Sequence, residues 1–142
     1  MADGVLLDTH VWVWAAEGDV RRVGPRTRRL LTRAGRTGTV RISPVSIFEV
    51  AALHTLDRLR FAQPVEAWIR AALEQMDLRI APVAPDVSLD AGLIPREALA
   101  DPLDRLLVAT ARYFESTLVT ADDRILEYAA DTSAVRTHDA RA

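Results

Sequence analysis

The sequence predicts an α/β protein with a central parallel sheet, on three observations. Apolar runs short enough for single strands recur along the chain, segments of helical period separate them, and acids stand where strands would end. A crossover helix is how a chain returns to start a neighbouring parallel strand, so this alternation places helices on both faces of one sheet. The length of 142 residues, 49% of them hydrophobic and 27% charged, fits a single domain over 1–142 with an ordinary core.

The first element, Val5-Leu6-Leu7, is a strand buried on both faces that ends at Asp8, and residues 10–16 read as a helix closed by Gly18. Gly24-Pro25 opens and Gly35 closes an amphipathic helix over 26–34, with Leu30 and Leu31 as its apolar stripe. Residues 39–42 are a second strand. Ser43 before Pro44 is an N-cap, and Ile47, Val50, Ala51 and Leu53 carry the helical period onward to residue 56. Residues 64–76 predict another amphipathic helix, 78–83 a strand and 85–93 a short helix. Asp101-Pro102 begins a helix with Leu103, Leu106, Leu107, Thr110 and Phe114 along one side. Residues 117–120 are a strand, Asp122-Asp123 opens a helix over 124–130, and 139–142 read as a frayed end.

Composition narrows the chemistry. There is no Cys, which excludes a disulfide scaffold, a Cys-ligated zinc site and a thiol nucleophile. All 18 basic residues are Arg, so Schiff-base chemistry and a P-loop Lys are excluded too. The apolar stretch 5–16 is interrupted by Asp8, Thr9 and His10 and is too short to span a bilayer, and it lacks the basic flank of a signal peptide. A cytoplasmic protein with no membrane partner is expected.

Open α/β sheets bind ligands at the carboxyl ends of their strands. Asp8 ends the first strand and Asp122 follows the strand 117–120, while Glu49 and Asp104 near the beginnings of helices project toward the same end. Each Asp has a plain structural reading as a helix cap, with Asp101 and Asp104 spaced as a capping box. Glu49 is too deep in its helix to cap it and sits among Ile47, Phe48, Val50 and Ala51, so it needs a partner. Four gathered carboxylates repel and raise one another's pKa unless a cation neutralises them. Oxygen ligands without Cys, and with only His10, His54 and His138 at no metal-binding spacing, point to Mg²⁺ or Mn²⁺. His54 is read as a helix-surface residue and His138 as tail.

Such an ion binds a phosphodiester oxygen and activates water for in-line attack. Residues 21–41 hold eight Arg and no acid, although the whole chain carries a net charge of −2. A basic face of this kind suits phosphate contacts, and its alternative reading is a solvated helix surface. Trp12, Trp14 and Trp68 lie at helical spacing and read as core or dimer contacts before base-stacking residues.

The ordered segments Leu6-Leu7-Asp8-Thr9-His10, Ile42-Ser43-Pro44-Val45-Ser46-Ile47-Phe48-Glu49-Val50, Asp101-Pro102-Leu103-Asp104-Arg105-Leu106-Leu107 and Leu118-Val119-Thr120-Ala121-Asp122 resemble the PIN-domain family, and more narrowly the VapC-type toxins of type II toxin–antitoxin pairs. The resemblance runs over residues 5–130. It implies an α/β/α sandwich with a parallel sheet, an acidic pocket for Mg²⁺ or Mn²⁺, and endoribonuclease activity by metal-activated water. It also implies a homodimer and a hetero-oligomer with a cognate antitoxin. Position by position, Asp8, Glu49, Asp104 and Asp122 match the family's acidic set as both metal ligands and catalytic residues. Thr9 matches the polar residue after the first Asp, and Ser43 and Thr120 match hydroxyls at the pocket rim. Asp101 and Asp123 match less closely, as a cap and a residue behind the direct ligands.

Two rivals remain. A receiver domain or haloacid-dehalogenase-like phosphatase also clusters Asp at strand ends, but normally requires a pocket Lys that this chain lacks. A non-catalytic PIN-like RNA- or protein-binding module would need no intact acidic set.

Overall fold

The computed structural model describes residues 4–142, and the first three residues of the expected domain lie outside them. Among the described residues, strands β1 (Val5–Leu7), β2 (Val40–Ile42), β3 (Arg79–Ile80), β4 (Thr117–Thr120) and β5 (Thr137–Asp139) form one sheet in the order β3-β2-β1-β4-β5. Every neighbouring pair is parallel, with Leu6 opposite Arg41 on one side and Leu118 on the other. The connecting helices are α1 (Thr9–Ala16), α2 (Pro25–Arg36), α3 (Pro44–Thr55), α4 (Val65–Gln75), α5 (Pro85–Leu93), α6 (Pro102–Tyr113) and α7 (Asp123–Thr132).

Strand alternation divides the core into two layers. Val5, Leu7, Val40, Ile42 and Val119 face Trp12, Ala34, Val50, Trp68 and Ala72 of α1 to α4. Leu6 and Leu118 face the opposite way, against Leu107, Val108 and Ala111 of α6 and Ile125 and Tyr128 of α7. This is the expected α/β/α sandwich, and it follows from the period of two along a pleated strand. Trp12 is fully buried, with its ring 5.4 Å from that of Trp68, which in turn stacks on Phe61 at 4.3 Å. Those two tryptophans are core residues. Gly18 closes the first helical segment with φ +70°, a conformation glycine adopts without steric cost.

Three expectations need correction. The strand placed over 78–83 is confined to Arg79–Ile80, both exposed. The Ala81 N–H still reaches the Ile42 carbonyl at 2.8 Å, but Pro82 has no N–H to extend the ladder. The frayed end at 139–142 is ordered structure: Asp139 completes β5, Ala140 is buried, and its N–H bonds the Thr120 carbonyl at 2.9 Å. His138 is therefore a strand residue rather than tail, and its Nε2 lies 2.8 Å from the buried Thr27 hydroxyl on α2.

The last residues also pack against the start of α2. The Gly24 N–H bonds the Ala140 carbonyl at 2.9 Å, and the Thr27 N–H reaches the Ala142 backbone oxygen at 3.2 Å. A Cβ on Gly24 would overlap the backbone of Arg141 and Ala142, so this approach requires glycine.

Candidate active site

Parallel strands expose their carboxyl ends on one edge of the sheet, and the helices that follow β1 and β4 start there. Asp8 stands between β1 and α1 and caps α1, accepting the Thr9 N–H at 2.7 Å. Its second oxygen accepts the Thr120 hydroxyl at 2.6 Å, from the last residue of the adjacent β4. The same hydroxyl accepts the Asp122 N–H at 3.0 Å, so Thr120 ties two acids to one strand end. Asp8 is 9% exposed, and burial pushes its pKa up against the lowering effect of these hydrogen bonds.

Glu49 reaches the site from α3. Thr9 donates its hydroxyl to the Glu49 carboxylate at 2.5 Å and is hydrogen-bonded to the Ser46 hydroxyl at 2.9 Å. This is the partner that Glu49 was expected to need. Ser46, one turn before Glu49, is fully buried beside Thr9. Of the two hydroxyls matched to the pocket rim, Ser43 and Thr120 are both fully buried and neither lines the pocket itself; Ser43 caps α3 by accepting the Val45 N–H at 3.0 Å.

Asp104 lies in the first turn of α6 and is 8% exposed. Its pKa is raised to about 7, first by burial and then by repulsion from Asp101, Asp8 and Asp122. The capping box expected here is half formed. Asp101 accepts the Leu103 N–H at 2.8 Å, but the buried Oδ2 of Asp104 has no hydrogen-bond partner. A buried carboxylate oxygen left without a donor is costly, and its position among other acids makes it receptive to a cation.

Asp122 caps α7 and accepts the Arg124 N–H at 2.9 Å. The Arg124 guanidinium lies on the same carboxylate at 3.2 and 3.3 Å. Partial burial would raise the Asp122 pKa, but the Arg124 contacts outweigh it and hold the group below the usual carboxylate range. Arg124 escaped sequence reading because a residue two positions after a helix cap usually faces solvent. Asp123, the neighbour of Asp122, turns instead to Arg141 at 2.7 Å.

These elements enclose a cavity of about 350 Å³ lined by Asp8, Glu49, Asp101, Asp104 and Asp122 with His10, Trp14, Ala121 and Arg124. All four acids singled out from the sequence face this one hollow. No group of three acidic or imidazole side chains among the described residues is drawn together into a preformed metal cage. The oxygen-only donor set and the orphaned Asp104 oxygen nonetheless fit a hard divalent ion, with Asp8, Asp104, Asp122 and Glu49 as the candidates to hold it. A larger cavity, about 560 Å³, lies at the opposite ends of the strands between Arg41, Arg112 and Arg136 and contains none of these acids. Among the described residues, no helix is long and apolar enough to cross a membrane.

Comparison with known proteins gives a consistent result. Ribonuclease VapC22 of Mycobacterium tuberculosis (strain ATCC 25618 / H37Rv) is 33% identical over 122 residues, covering 85% of this chain and 88% of that protein. Among solved structures, VapBC2 from Rickettsia felis bound to a promoter DNA fragment superposes with TM-score 0.68 at 15% identity, covering 94% of this chain and 96% of that one. FitAcB from Neisseria gonorrhoeae superposes with TM-score 0.62 at 22% identity, covering 96% and 97%. The model of the PIN domain matches residues 5–131, and with the sheet order and the relative just described it places this chain in the PIN-domain family.

Proposed function

We propose that this chain is a divalent-metal-dependent endoribonuclease, the toxin of a type II toxin–antitoxin pair, acting as one domain over 1–142. The observation that carries the reading is the buried, unpartnered Asp104 oxygen inside a hollow ringed by Asp8, Glu49 and Asp122. The kinship with a VapC ribonuclease supports it.

Mg²⁺ or Mn²⁺ bound there supplies Lewis acidity toward a phosphodiester oxygen and toward the attacking water. The chain's own residues prepare the place. Thr120 and the Thr9 N–H hold the Asp8 carboxylate at the end of β1, and Thr9 holds Glu49 across from it. Asp104 contributes an oxygen with no competing bond. Arg124 offsets the Asp122 charge at the mouth and presents the guanidinium on that rim to an incoming phosphate. The RNA substrate, an antitoxin partner as in the VapBC complexes, a homodimer and a cytoplasmic location belong to the same proposal.

Replacing Asp8 or Asp104 by Asn is expected to abolish Mg²⁺-dependent cleavage of RNA while leaving the folded far-ultraviolet circular dichroism intact. Purified Asp104→Asn protein that cuts RNA at the wild-type rate in Mg²⁺, with EDTA-sensitive activity, refutes the assignment. RNA binding without cutting by the wild type favours the non-catalytic module.

A further inference from the structure

We propose that α2 is a track for the RNA strand that leaves the acidic pocket, with Arg26, Arg29, Arg33 and Arg36 holding successive phosphates; this rests on the nuclease reading for the identity of the polyanion. The four residues stand at i, i+3, i+7 and i+10, the spacing of one helical stripe, and all are exposed. Helix α2 contains no acid. None of the four has an acidic partner within salt-bridge distance among the described residues, in contrast to Arg22, Arg112, Arg124 and Arg141. A row of like charges without partners repels itself and gains by binding a polyanion.

Shape and continuity support one path. Two grooves follow the stripe, one of about 480 Å³ between Arg28, Arg29, Arg33 and Arg36 and one of about 340 Å³ between Arg26, Arg29, Arg33 and His138. The amino-terminal end of α2 is fastened to the segment after β5. That segment carries Arg141, which bridges Asp139 and Asp123 beside the pocket acid Asp122. The start of α2 is thus linked through residues 140–142 and Arg141 to Asp123, the neighbour of the pocket acid Asp122, and the helix extends from there along twelve residues, about 18 Å at 1.5 Å per residue. An acid-lined pocket repels phosphates until it is neutralised, so affinity for a long strand has to come from outside it. The unpaired arginines supply that affinity, and guanidinium groups hold phosphate oxygens in a bidentate fork.

The test measures fluorescence anisotropy of a labelled single-stranded RNA of about 16 nucleotides, long enough to leave the pocket, in EDTA at several salt concentrations. Each phosphate contact on a single strand contributes about 0.7 to the salt slope, so Arg26→Gln/Arg29→Gln/Arg33→Gln/Arg36→Gln should lose about three units of slope. Between 50 and 200 mM salt its affinity should therefore fall about fifty-fold less than that of the wild type. The half-variants Arg26→Gln/Arg29→Gln and Arg33→Gln/Arg36→Gln should each show about half the loss in slope, which keeps the test decisive if the fourfold variant misfolds. The control Arg58→Gln/Arg60→Gln/Arg96→Gln removes exposed charge elsewhere and should retain the wild-type slope. A wild-type slope in the track variants overturns the proposal, as does an equal loss per Arg in the control, which would mean bulk attraction only. If the track variants bind RNA normally but fail to bind a cognate antitoxin, the stripe is a protein interface and the proposal is wrong. Binding is read without a divalent ion, so absence of RNA cleavage by the wild type would defeat the nuclease reading and leave this result standing.

Discussion

Asp104 concentrates the electrostatic tension of the pocket in one side chain. The unfolded chain releases this proton near 3.8 and the folded, metal-free chain near 7. Between those values the folded state holds more protons, so the stability that protonated Asp104 contributes is fully present below 3.8 and is lost as pH rises toward 7. The thermal midpoint of metal-free wild type, measured relative to Asp104→Asn, should accordingly drop between pH 4 and pH 8, and Mn²⁺ at pH 8 should raise the wild-type midpoint more than that of the variant. A difference that stays flat across the window contradicts the burial account. Asp8, Asp104 and Asp122 were legible in the sequence because strand ends and helix starts are marked by local pattern, and Glu49 because an acid among apolar neighbours inside a helix needs a partner. The Thr9 hydroxyl on Glu49 and Ser46, and Arg124 on Asp122, were not legible. Which hydroxyl meets Glu49 depends on the α1–α3 approach, and which Arg folds back on a cap depends on a rotamer.

At the scale of elements, apolar content decided what could be read. β1 and β4 carry runs such as Val5-Leu6-Leu7 and Leu118-Val119, and their positions were evident. β5 is Thr137-His138-Asp139, without an apolar residue, because it is an edge strand half covered by α2 and the segment beyond it. Its polar residues are fixed by partners instead of by burial of hydrocarbon. The Thr27 hydroxyl lies 2.8 Å from His138 and 3.3 Å from the backbone oxygens of Asp139 and Ala142, all from a side chain with no exposed surface. Replacing Thr27 by Val keeps its volume and removes those bonds, and should cost about 1–3 kcal/mol in chemical denaturation. Faster amide exchange in β5 than in β4 should accompany the loss. Full retention of stability would mean that His138 and the carbonyls are served by water.

The whole molecule is electrically divided. Residues 21–41 hold eight Arg without an acid, while the net charge of the entire chain is −2. Separation of this kind lets an anionic protein present a cationic face. At pH 7.5 and low salt the protein should be retained on heparin despite its net charge. The Arg26→Gln/Arg29→Gln/Arg33→Gln/Arg36→Gln variant should elute markedly earlier in a salt gradient. Identical elution would show that the basic surface is screened by the rest of the molecule. The asymmetry was visible in composition, but its direction was not: only the fold shows that α2 meets the segment whose Arg141 holds Asp123, next to the pocket acid Asp122.

The tight seat between Gly24 and the last three residues has a reach beyond its own position. One added methyl group there would evict the chain end from its berth, slacken the edge strand attached to it and free Asp123 from its guanidinium clasp. A change in a turn with no chemistry of its own would thereby be felt next to Asp122, in the wall of the acidic hollow.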